Sequence, residues 1–181
     1  MYLIGYFKVN YEAMEEISES SLFSLFNKFP RNGQVVWISV RPERRMAMQE
    51  LNEVQALTGK GLVEDSFAGR PGGKRQVTLL QAEHLEVIGS FLGKPTIEPS
   101  LLRRNILVKG INLLSLKEKQ FWVGDALLEM TGLCHPCSYM EEVLGEGGYN
   151  AMRGHGGITA RVIKNGWIKI GDKVFVETQE K

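Results

Sequence analysis

Cysteine is nearly missing from this chain: there are two in 181 residues, Cys134 and Cys137. A disulfide-stapled secreted scaffold needs more pairs, so the cytoplasm is the expected compartment. Long apolar runs are missing as well. No stretch approaches the roughly 18 residues that a membrane-spanning helix requires, so no membrane partner is expected. Charge of one sign is also missing, because 22 basic and 21 acidic side chains leave a formal net charge of +1. Such a balance gives no global field to draw in nucleic acid or anionic lipid, and any charge-driven recognition must be local. The start, Met1-Tyr2-Leu3-Ile4-Gly5-Tyr6-Phe7-Lys8, has no basic segment leading into a long apolar one. It reads as a first strand and not as a signal peptide. There is no Walker-type phosphate loop, and Gly145-Glu146-Gly147-Gly148 is not a dinucleotide fingerprint. Neither a Ser/His/Asp triad pattern nor a flavin, haem or iron–sulfur motif is present.

What is there suits one globular domain over residues 1–181, since 43% hydrophobic composition can bury a sizeable core. Met14, Ile17, Ser21, Leu25 and Phe29 recur at helical spacing before the stop at Pro30. Val35 to Val40 is an apolar, β-branched run of the kind found in buried strands. Pro42 then predicts a second helix with Ala47, Leu51, Val54 and Leu57 on one face and Gly59 as its C-terminal stop. An open loop spans residues 65–75, followed by a strand from Gln76 to Leu80 and a helix from about Glu83 to Phe91. The second half reads as β structure with one helical interruption. Asn165-Gly166 lies between two apolar runs, the short-range signature of a two-residue hairpin turn. Gly124-Asp125 and Gly171-Asp172 repeat a strand–turn–strand device. Many short strands, glycine-rich turns and helices gathered early predict a mainly β protein with α elements (α+β), a β-barrel with helices packed outside.

Chemistry centres first on Cys134-His135-Pro136-Cys137, between a predicted strand (Ala126 to Met130) and a predicted helix (Ser138 to Leu144, ending at Gly145). A thiol at a helix N-terminus meets unpaired amides and the positive end of the dipole, and both favour the thiolate. Four readings are open here. Structural zinc needs four ligands, and only scattered histidines at 84, 135 and 155 could complete one cysteine pair. A thioredoxin-like dithiol fits locally, but that fold places its CxxC in an early βαβ unit. Two buried cysteines acting as small hydrophobes is the bland reading. The reading carried forward is a single working thiol, Cys137.

A second constellation is basic. Lys74-Arg75 closes the open loop, Arg103-Arg104-Asn105 enters a strand, and Arg153-Gly154-His155-Gly156-Gly157 precedes the last strands. Guanidinium forks at turns suit phosphate, and glycines allow backbone amides to approach an anion. For any one cluster alone a solvated surface is the simpler explanation. A lone His155 in such a turn more often bonds backbone than acts as a ligand or proton donor.

These motifs together resemble a known family. Gly61-Leu62-Val63-Glu64-Asp65, Lys74-Arg75-Gln76-Val77, Leu101 to Ile106 with Gly110, Gly124-Asp125-Ala126, Cys134 to Cys137, Gly154 to Ile158, and Gly166 to Asp172 are similar, in order and spacing, to the MOSC domain. That module is named for the C-terminus of molybdenum cofactor sulfurase. The resemblance covers roughly residues 35–177. Glu64 departs from it, standing where the family usually has glycine, so that turn is expected to be built differently. The resemblance implies a β-barrel with helices around it. It also implies either of two roles for the cysteine after Pro136, which is Cys137. In one, Cys137 ligates the molybdenum of a bound molybdenum cofactor (molybdopterin) in an oxidoreductase that reduces N-hydroxylated compounds. In the other it carries a persulfide, in a sulfur carrier or cofactor-maturation protein. Lys74, Arg75, Arg103, Arg104, Asn105, Gly154, His155, Gly156 and Gly157 are the residues expected to hold the pterin cofactor. A separate electron-donor or sulfur-donor protein is expected as partner. A non-catalytic small-molecule-binding module is the remaining alternative.

Overall fold

A computed structural model of the chain describes residues 24–43, 46–66 and 73–177. The chain divides into two compact units, residues 1–30 and 31–181. In the first, Ser24 and Leu25 are helical, and the Lys28 amide donates to the Leu25 carbonyl at 3.1 Å. The predicted first strand and most of the helix expected over residues 14–29 lie outside the described residues.

The second unit is built on strands whose sequence already alternates inward and outward side chains. In β1 (Gly33–Val40), Val35, Ile38 and Val40 are fully buried. It pairs with β6 (Ile106–Lys109) on one side and β11 (Lys173–Phe175) on the other. The ladder runs on through β7 (Gln120–Val123), β8 (Ala126–Leu133), β9 (Ile158–Lys164) and β5 (Val77–Gln81), and returns to β6. These seven strands close into a barrel, which leaves no free edge among them. β2 (Gln49–Leu51) adds to β1 outside the ring. A smaller sheet joins β10 (Gly166–Lys169), β3 (Glu53–Leu57) and β4 (Gly61–Leu62). Among the described residues β5 and β6 form the one parallel pair, with Leu79 opposite Ile106. A parallel pair needs a long crossover, here carrying helix α1 (His84–Phe91) and a 3-10 turn at Pro99–Leu102.

Helices lie outside the barrel wall, as expected. Leu80 and Leu107 of the parallel pair face out into a cluster with Ile88 of α1, Met140 and Leu144 of α2 (Ser138–Leu144), and Ala151 and Met152 of α3 (Gly148–Met152). Each large side chain buried there contributes on the order of 1.5–3 kcal/mol. No helix among the described residues is long and apolar enough to cross a membrane.

Four local expectations are corrected or refined. The helix after Pro42 is instead β2 and β3. Val54 and Ala56 are buried while Glu53 is exposed, a period of two, because β3 pairs with β10, Val54 opposite Ile168. Cross-strand packing overrides the helical spacing seen on paper. Gly59, at φ 78°, serves the β3–β4 turn and caps no helix. Second, the Asn165-Gly166 hairpin does not form. β9 pairs with β8 and β5, whereas β10 crosses to β3. Asn165 marks this sheet-to-sheet corner, its side-chain oxygen accepting from the amide and hydroxyl of Thr58 at 2.7 and 2.8 Å. Gly166 is needed for space and not for a positive φ, since a Cβ there would sit 2.2 Å from the Asp125 carbonyl carbon. Third, the strand–turn–strand device is present at both turns, but its strands pair with each other only at Gly124-Asp125; β10 and β11, flanking Gly171-Asp172, join different sheets. Fourth, the single helical interruption is two helices, α2 and α3, so among the described residues the helices are not gathered early.

Candidate functional site

The CxxC segment follows a break in β8. The β8–β9 register shifts between Met130 and Gly132, a bulge that re-aims the chain just before Cys134. The Cys134 amide then donates to the Gly157 carbonyl at 2.9 Å, and its side chain is 4% exposed. Pro136 is buried, and Cys137 opens α2 as its N-cap residue in extended backbone (φ −119°, ψ 173°). Its carbonyl accepts from the Met140 amide at 2.9 Å, while its sulfur takes no capping role and stays exposed. α2 is held down by Met140 and Leu144 in the outer cluster. It is tied to α3 by Glu141, whose carboxylate accepts from the amides of Gly147 and Tyr149, both at 2.8 Å. Those two bonds hold the Glu141 carboxyl below its ordinary range. The predicted strand–CxxC–helix arrangement, including the stop at Gly145, matches the structure.

Arg104 is the buried organiser of this corner. It is 7% exposed, and its guanidinium donates to the carbonyls of Gly156 (2.7 Å), Leu102 (2.7 Å) and Cys134 (3.4 Å). One planar fork thus pins the 3-10 turn, the glycine turn and the CxxC segment together. Burial pulls its guanidinium below the ordinary arginine value. The thiols of Cys134 and then Cys137 act in the opposite direction, and Arg75 reinforces the lowering.

Beside it a cavity of about 260 Å³ is lined by Arg41, Met48, Asp65, Arg75, Gln76, Thr78, Arg103 and Asn105. Three guanidinium groups face one carboxylate there, an excess of positive charge. Asn105 has spent its amide: its oxygen accepts from the amide and hydroxyl of Thr78, and its nitrogen donates to the Ser39 carbonyl and Asp65. Asp65 also accepts from the Arg41 amide at 2.8 Å. The network shapes the floor and leaves the arginines as donors. Arg75 Nη2 lies 3.9 Å from Cys134 Sγ, and Arg103 stacks over the Tyr139 ring at 4.7 Å, two residues beyond Cys137. Through these contacts the cavity adjoins the CxxC corner. Cys137 itself is not among its lining residues.

Of the expected cofactor-holding residues, the cavity brings together Arg75, Arg103 and Asn105. Arg104 is committed to carbonyls, and exposed Lys74 is not among the lining residues. Gly154, His155, Gly156 and Gly157 also lie outside the lining. Two of these glycines answer to packing. A Cβ on Gly156 would meet the Cys134 carbonyl oxygen at 2.1 Å, and one on Gly157 (φ 83°) the Leu79 oxygen at 2.0 Å. His155 packs edge-on to His84 at 4.8 Å and near Phe91 at 5.6 Å. Arg41 and Asp65 were not singled out as ligand-contacting residues. Asp65 was visible only within the Gly-Leu-Val-Glu-Asp turn, and Arg41 had no local signal because it lines the cavity through tertiary pairing.

That turn bears on kinship. Glu64, standing where the family resemblance expects glycine, adopts φ 66°, the left-handed conformation that glycine takes without cost. The family model of the MOSC domain matches residues 61–175. The chain belongs to the MOSC domain family. The MOSC barrel is shared with solved structures of low sequence identity. YuaD from Bacillus subtilis is 20% identical with a TM-score of 0.69, covering 83% of this chain and 98% of that one. YiiM from Geobacillus stearothermophilus is 17% identical with a TM-score of 0.64, covering 81% and 76%. YiiM from Escherichia coli is 18% identical with a TM-score of 0.62, covering 84% and 72%. No curated protein matches the chain.

Proposed function

We propose that this MOSC protein binds molybdenum cofactor, with Cys137 as the thiolate ligand and the arginine cavity holding the anionic end of the pterin. The observation that carries this reading is the convergence of Arg41, Arg75 and Arg103 on one cavity that adjoins the thiol corner. Phosphate is recognised by guanidinium forks, and a soft metal carried on a dithiolene accepts a thiolate. The donor set therefore fits both ends of such a cofactor. Asn105 and Asp65 keep the cavity floor rigid, and Arg104 fixes the backbone on which both cysteines sit. The cofactor supplies two-electron chemistry, directed by the family resemblance at nitrogen–oxygen bonds of N-hydroxylated compounds. Electrons then come from a separate donor protein. Free thiols suit a reducing compartment, in keeping with a cytoplasmic location.

The exposure of Cys137 favours a second reading. A sulfur carrier needs an accessible thiol to receive and hand on a persulfide, and its chemistry has no use for an anion cavity. Anaerobic purification followed by elemental analysis and intact mass separates the two. Near-stoichiometric molybdenum, lost in Cys137→Ser and kept in Cys134→Ser, supports the cofactor reading. A labile gain of one sulfur atom without molybdenum supports the carrier. Equal loss of molybdenum from the two variants overturns the single-ligand role of Cys137.

A further inference from the structure

The cofactor reading gives Cys134 no task, yet its surroundings are specific. We propose that Cys134 and Cys137 form an exchanging dithiol: exposed Cys137 attacks small-molecule disulfides and buried Cys134 resolves the product. Three observations carry this. Accessibility is divided, with Cys137 exposed and Cys134 buried, which matches an attacking and a protected resolving sulfur. The Arg75 guanidinium lies 3.9 Å from Cys134 Sγ, placing a fixed positive charge beside the sulfur that must become negative as it attacks. Finally, the backbone between the two cysteines is anchored at both ends: the Cys134 amide donates to the Gly157 carbonyl at 2.9 Å and its carbonyl accepts from Arg104 at 3.4 Å, while the Cys137 carbonyl accepts from the Met140 amide at 2.9 Å. Pro136 is buried, and a proline disfavours helical backbone at the residue before it, which limits the conformations of the segment.

The chemistry balances in two exchanges. Cys137 sulfur attacks one sulfur of a disulfide RSSR, and the S–S bond breaks. One RS⁻ leaves and takes the proton that Cys137 lost, so Cys137 carries SR. Cys134 sulfur then attacks Cys137 Sγ, forming the internal disulfide and expelling the second RS⁻, which takes the Cys134 proton. The protein loses two electrons and two protons, and RSSR becomes two RSH. A dithiol reductant such as dithiothreitol reverses it. The closed form has no free Cys137 thiolate, so the exchange governs whether the site can hold a soft ligand.

The test uses the full-length reduced protein without cofactor, treated with glutathione disulfide and followed by intact mass. The wild type should lose about 2 Da and retain no glutathione. Cys134→Ser should trap one glutathione on Cys137, and Cys137→Ser should remain unmodified over the same interval. Because Cys134 is buried, Cys134→Ala provides a second, apolar variant expected to trap the same adduct, with thermal unfolding confirming that each variant is folded. Arg75→Gln should slow release of the adduct by roughly tenfold, as expected where a charge stabilises the attacking sulfur. A wild type that keeps its glutathione as Cys134→Ser does, or a Cys137→Ser variant that reacts as fast as wild type, overturns the proposal. Molybdenum content is not read in this experiment, so its failure is separable from that of the cofactor reading.

Discussion

Replacing Arg104 with methionine keeps an unbranched apolar stem and removes every donor the guanidinium contributes. In the native corner the guanidinium satisfies three carbonyls from three segments, two of them at 2.7 Å. A hydrogen bond from a charged donor contributes about 1.5–3 kcal/mol, and each buried acceptor left without a donor costs about 1–3 kcal/mol. Against this, methionine removes the several kcal/mol cost of keeping a charge out of water. Among the described residues no carboxylate lies within ion-pair distance of Arg104, so that relief is genuine. Three stranded carbonyls outweigh one relieved charge, and the expected net destabilisation is about 2–4 kcal/mol. For a chain of this size that lowers Tm by roughly 5–15 °C. Urea unfolding of wild type and Arg104→Met, with the slope held common, measures it. Arg104→Lys should fall between, because one hydrated ammonium cannot span three carbonyls. An Arg104→Met protein as stable as wild type would refute the organising role and show that desolvation dominates this site.

Three further outcomes follow from local geometry. Glu64→Gly should stabilise the protein by about 0.5–1 kcal/mol: relief of a left-handed residue is worth about 1–2 kcal/mol, offset by the greater freedom of glycine in the unfolded chain. A fall in Tm would contradict this. His84 is held below the ordinary imidazole range by burial and then by His155, so the unfolded chain binds the proton more readily. Stability is therefore full above the ordinary value near 6.5 and declines as pH falls toward the lowered folded value; His84→Gln should flatten that slope in urea titrations at stepped pH. Glu141→Gln weakens the carboxylate bonds to Gly147 and Tyr149. Hydrogen exchange at those two amides should quicken. In wild type the same protection should be present at neutral pH and vanish as pH falls through the depressed Glu141 value; unchanged exchange in the variant would count against the cap.

The barrel was legible in its strands because inward and outward residues alternate along them. α2 was legible to the residue, since Pro136 and Gly145 bracket it. The misreadings share one physical cause. Residues 47–57 carry apolar positions compatible with either period, and only pairing with β10 selects the strand. Asn165-Gly166 satisfies the local rule for a hairpin, but a neighbouring backbone at Asp125 accounts for the glycine. The same holds at the site. Cys137, Arg75 and Arg103 stood out by type and placement, whereas Arg41 reaches the cavity through contacts between segments far apart in sequence. Arg104 looked like a cofactor ligand because a run of two arginines does not reveal which one turns inward.

The central claim is that the arginine cavity and Cys137 serve one cofactor. The measurement that meets it most directly is a crystal structure of anaerobically prepared, cofactor-loaded protein, with anomalous scattering recorded at the molybdenum edge. The account predicts molybdenum bonded to the Cys137 sulfur and the pterin phosphate among Arg41, Arg75 and Arg103. Molybdenum on another residue, or a phosphate bound outside those three guanidinium groups, would contradict it.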